Sequence, residues 1–124
     1  MELAKRNGFP LSIYTIKTLP KSIGSQQNII YNLDDKIDQR GGTHWCCIWQ
    51  GEKVIYVDPF GLDPPKNVED FMKSSGKEVL SNTTQIQNIK STHCGGICIW
   101  VLSKLNQGAS IIDVVTSKKP GIFK

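Results

Sequence analysis

No stretch of the 124 residues approaches the ~18 consecutive apolar positions of a membrane-spanning helix. The start, "MELAKRNGFP", lacks the apolar segment of a secretory signal, so an intracellular, reducing compartment is expected. A basic stripe is missing too. The 15 Lys and Arg against 11 Asp and Glu give a net charge of +4, spread from Lys5 to Lys124 with only Lys5-Arg6 and Lys118-Lys119 adjacent. That scatter describes an ordinary solvated surface better than a nucleic-acid face. Repeats, low-complexity tracts and linkers are absent, which predicts one domain over 1–124 with one core. No Cys-x2-Cys pair occurs. A zinc site could draw on His44, Cys46, Cys47, His93, Cys94 and Cys98, but the usual ligand spacing is missing, so neither metal nor cofactor is expected.

What is present is a small α+β pattern. "LSIYTIK" fits a strand or a turn, and "NIIYNL" reads as a strand. "THWCCIW" and "KVIYVD" are β-rich runs, and "QGE" between them reads as a three-residue hairpin loop. Cys46 and Cys47 then point to opposite faces, which suits burial better than a disulfide. "NVEDFMKSS" predicts a short helix stopped by Gly76, and "TTQIQ" predicts a strand. From Cys94 the pattern turns helical: Ile97, Cys98, Val101, Leu102 and Leu105 make one apolar stripe, and Gly108 ends it. "SIIDVV" starts another helix with Ser110 as N-cap and Asp113 three residues on. The fold class is therefore a small mixed sheet flanked by helices.

The chemistry centres on "STHCGGICIW". A nucleophilic Cys94 needs a base, and only His44 and His93 are available. His93 is adjacent, and consecutive residues do not face each other on a helix or a strand. His44, 50 residues away, is the better partner. If "QGE" is the loop, His44 stands directly opposite Asp58, which could accept the ring N–H and fix the tautomer. A thiol at a helix N-terminus beside an imidazolium is acidified, and the free N–H groups there can hold an oxyanion. Gly95 and Gly96 leave room for a substrate backbone. Asp34 and Asp35, before the His-bearing strand, are candidate substrate contacts.

"GGTHW", "YVDPFG" and "Q-x6-C-G" together resemble the adenain-like cysteine proteases, the group of the adenovirus proteinase and the SUMO proteases. The resemblance runs from about Asn28 to about Asn106. It implies a papain-like fold with the nucleophile at a helix N-terminus. It also implies that Cys94 attacks, His44 moves the proton, Asp58 orients His44, and Gln87 with the Cys94 backbone N–H holds the oxyanion. Trp45 would cover a narrow channel that admits glycine, so the expected substrate is a precursor protein with Gly near the scissile bond. The missing insertions of cellular SUMO proteases favour a maturation protease of a virus, virophage or polinton-type element, acting in host cytoplasm, viral factory or virion as a monomer. A weak nucleic-acid or peptide activator is left open, as the adenovirus enzyme uses both, although no residue here supports either. Asp58 departs from the adenovirus enzyme, which has Glu there. The alternatives are a deconjugating protease for a ubiquitin-like modifier, an acyltransferase, and a non-catalytic binding module with the same fold.

Overall fold

A computed structural model describes residues 9–32, 44–59, 61–82 and 94–110. The strands are β1 (Ser12–Thr15), β2 (Asn28–Asn32), β3 (Trp45–Gln50), β4 (Val54–Val57) and β5 (Val79–Ser81). They form one sheet in the order β1-β2-β3-β4-β5. The outer pairs β1–β2 and β4–β5 are parallel, while β2–β3 and β3–β4 are antiparallel. Two helices are described, α1 (Lys66–Lys73) and α2 (Cys94–Asn106). This is the mixed, helix-flanked α+β sheet that the sequence pattern predicts.

The strands in the middle of the sheet are apolar on both faces because both faces are covered. On one face Tyr31, Cys46, Ile48, Val54 and Tyr56 pack against Val68, Phe71 and Met72 of α1. On the other, Ile30, Cys47, Ile55 and Val57 pack against Ile97, Cys98, Val101, Leu102 and Leu105 of α2. Cys46 and Cys47 thus take opposite faces, and with Cys98 they are free, buried thiols. α1 shows why its sequence is helical at the surface. Its inner positions are spaced three and four apart, and its outer face carries the pairs Lys66–Asp70 and Glu69–Lys73 one turn apart. α2 is held chiefly by its apolar stripe, each Leu, Ile or Val of which contributes about 1.5–3 kcal/mol on burial.

Two expectations need correction. The β3–β4 hairpin loop is Gly51–Lys53, with Gln50 opposite Val54 and Cys47 opposite Val57, and not "QGE". Gln50 stays in the strand because its side-chain amide donates to the carbonyls of Gly24 and Gln26, at 3.0 and 2.8 Å. The turn suits Gly51 because Trp49 folds over it: a Cβ there would collide with the indole. Second, the strand after α1 is Val79–Ser81, which the sequence reading passed over. Three residues carry no readable period, and β5 exists because β4 offers it a ladder. "TTQIQ" and the helix expected after Ser110 lie outside the described residues. β1 settles "LSIYTIK" as a strand at Ser12–Thr15.

Candidate active site

His44 immediately precedes β3, and Asp58 immediately follows β4. Both therefore stand at one end of the sheet. With Cys47 opposite Val57, the ladder extended by one residue sets Cys46, not His44, across from Asp58. His44 reaches Asp58 diagonally instead. It shares a face with Cys46, because residues two apart on a strand point the same way. The imidazole is long enough to span the diagonal, and Nε2 lies 2.8 Å from Asp58 Oδ1. The carboxylate is 1% exposed and the imidazole 12%.

Asp58 is fixed through its backbone. Its N–H donates to Asn82 Oδ1 at 2.9 Å, and Asn82 Nδ2 donates back to the Asp58 carbonyl at 2.6 Å. Asn82, just past β5, also gives its own N–H to the Tyr56 carbonyl at 3.3 Å. Such a clamp leaves the Asp58 side chain to its partner. A carboxylate can only accept, so the ring nitrogen facing it is the protonated one. The lone pair of a neutral imidazole is then on Nδ1. The arrangement makes His44 a base of fixed tautomer and gives an imidazolium a buried counter-charge.

Beneath the pair runs a polar seam that the sequence reading missed. The Cys46 thiol contacts both His44 and the Tyr56 hydroxyl, and the Tyr56 hydroxyl lies 2.7 Å from that of Tyr31. Burial is the main reason the Cys46 thiol is held above its ordinary range, while contact with His44 works the other way. Burial likewise pushes both tyrosine hydroxyls well up, so all three stay protonated at neutral pH. The i, i+2 spacing of His44 and Cys46 was the available signal for this contact.

Cys94 opens α2. The direction of that helix is set by two pins. Cys98 Sγ lies 3.4 Å from the Trp45 carbonyl, at the start of β3. Asn106 donates to Asn28 Oδ1 at 2.6 Å and accepts from the Trp49 indole N–H at 3.4 Å, at the other end of β3. α2 therefore runs along β3 in the same direction. Cys94 precedes Cys98 by one turn, about 6 Å along the axis. The first turn of α2 is thus at the His44–Asp58 end of the sheet, while its body covers the opposite face from Cys46. Trp45 is partly buried against the α2 core. Gly95 is in the first turn of α2. Gln87, His93, Asp34 and Asp35 lie outside the described residues. No helix among the described residues is long and apolar enough to cross a membrane.

No protein-family model matches the sequence, and no curated protein matches it. Solved structures do. Two crystal structures of ASFV pS273R protease, one of them the selenomethionine form, align with a TM-score of 0.51 at 18% identity. The selenomethionine structure is matched over 75% of this chain and 39% of its own length, the other over 74% and 37%. This chain thus spans less than two fifths of those proteins, and what it shares with them is the fold.

Proposed function

We propose that the chain is a cysteine endopeptidase of adenain-like type. The observation that carries this reading is the buried His44–Asp58 pair, 2.8 Å apart, at the sheet end where the helix opened by Cys94 begins. Cys94 attacks the scissile carbonyl as a thiolate, and His44 takes the thiol proton and returns it to the leaving amine. Asp58 holds the imidazole in its tautomer and supports the imidazolium. Gln87 and the Cys94 backbone N–H hold the oxyanion. Trp45 walls a channel that admits glycine, Gly95 lets a substrate backbone approach, and Asp34 and Asp35 meet the substrate. The substrate is a viral or transposon precursor protein cut at a Gly-containing site, and the enzyme works as one domain and a monomer.

Thiol labelling tests the core of the reading. A thiol-directed alkylator near neutral pH should modify Cys94 ahead of the buried Cys46, Cys47 and Cys98, and His44→Ala should remove that preference. Equal, slow labelling of all four thiols would sink the catalytic pair. A cleavage profile over a peptide library should show Gly at or beside the cut, and an absence of Gly there would remove the channel.

A further inference from the structure

One side chain against the His44–Asp58 pair has no task in peptide hydrolysis. Cys46 lies two residues after His44 on the same face and across the ladder from Asp58. One ligand atom from each of His44, Cys46 and Asp58 falls within 4.8 Å of the other two. Imidazole, thiolate and carboxylate are the donor types that Zn²⁺ accepts, and three protein donors suffice when the fourth position goes to water. The sulfur and the single carboxylate argue against Mg²⁺ or Ca²⁺, which take oxygen ligands.

We propose that His44, Cys46 and Asp58 form a zinc-binding site that holds the enzyme inactive. With metal–ligand bonds of about 2.0–2.3 Å, tetrahedral donors stand roughly 3.3–3.8 Å apart. The His44–Asp58 separation of 2.8 Å has to open by about half an ångström, and Cys46 Sγ has to close by up to about one. Both are side-chain adjustments. The charges balance, since one thiolate and one carboxylate neutralise the dication, and a neutral cluster tolerates burial. Zn²⁺ takes the place of the thiol proton, which leaves to solvent, and of the Nε2 proton, which moves to Nδ1 of the same ring. With Nδ1 protonated and Nε2 on the metal, His44 has no lone pair for a thiol proton. Binding stands on the geometry alone, and only the inhibition rests on the peptidase reading.

The experiment uses the full chain and Cys94→Ala, with Co²⁺ as a spectroscopic probe and Zn²⁺ in competition with a chromophoric chelator. Cys94→Ala should bind one metal ion and show a thiolate-to-cobalt charge-transfer band. Cys46→Ser should lose the band, and Asp58→Asn should keep it. Both should weaken Zn²⁺ binding by more than the roughly 10–100-fold that losing a mere outer-shell partner costs. Cys47→Ser, on the other face of the sheet, should do neither. A band that survives in Cys46→Ser, a band that vanishes in Cys94→Ala, or no metal bound at all would overturn the site. In the full chain, one equivalent of Zn²⁺ should stop peptide turnover and a chelator should restore it. A metal-binding chain that cleaves no peptide would overturn the inhibition and the peptidase reading while the band upholds the site.

Discussion

The two faces of the central strands share one backbone and differ in kind. The α2 face is hydrophobic throughout, with two thiols, Cys47 and Cys98, among aliphatic side chains and the indoles of Trp45, Trp49 and Trp100. The α1 face carries two tyrosine hydroxyls, a thiol, an imidazole and a carboxylate in contact, from Tyr31 to Asp58. Neighbouring residues mark the contrast, for Cys47 packs among hydrocarbon side chains and Cys46 joins a polar chain. Both faces are packed with apolar side chains, and the α1 face in addition holds a chain of polar groups still. A well-packed apolar layer fixes the strands, so polar partners across them meet without reorganisation.

Substitutions should break the comparison in order. Asp58→Asn strikes the polar face hardest, because it reverses the demand on the imidazole tautomer. Turnover should fall by up to roughly 10⁴-fold with the fold retained, as seen by circular dichroism. Leu102→Ala strikes the apolar face, and should cost about 2–5 kcal/mol in urea unfolding. Residual turnover per folded molecule should change far less than in Asp58→Asn. An equal loss of activity in both would mean that the faces do not divide the labour.

Alkaline pH should give the smallest and most selective effect. Tyr31, Tyr56 and Cys46 are all held above their ordinary values in the folded chain. Unfolded thiols ionise at about 8.5 and tyrosines at about 10. Above those values the unfolded chain has lost protons that the folded one keeps, so stability falls as pH rises. It is fully present below about pH 8.5 and should decline in two stages, the steeper above about pH 10. In the double variant Tyr31→Phe/Tyr56→Phe the second stage should shrink, and an unchanged slope would show that the hydroxyls are not sealed in.

Much of this was legible in the sequence, for reasons that differ by element. α2 was readable because Ile97, Cys98, Val101, Leu102 and Leu105 repeat at helical spacing and all prove buried. The His44–Asp58 pairing is legible even from a loop placed one residue too early. Moving the turn from 50–52 to 51–53 displaces each strand's partner by two residues, which preserves the face and loses direct opposition. The pair survives because two residues along a strand is a distance an imidazole can bridge. The seam under it was not legible, since nothing local in "YVD" or "IIY" says that two hydroxyls and a thiol will converge. Nor was Asn82, whose clamp on Asp58 exists only once β5 has paired with β4.

The two-ended attachment of α2 has a mechanical consequence. Asn106 is twelve residues from Cys94, so the helix is a lever about 18 Å long. If the Cys98–Trp45 contact gave way and the helix swung about its Asn106 end, a tilt of about 3° would carry the thiol-bearing tip by about 1 Å. Displacements of that size can cost 10²-fold in rate. Alignment of the tip is therefore set partly by an asparagine and an indole at the far end of the molecule, which touch no reacting atom.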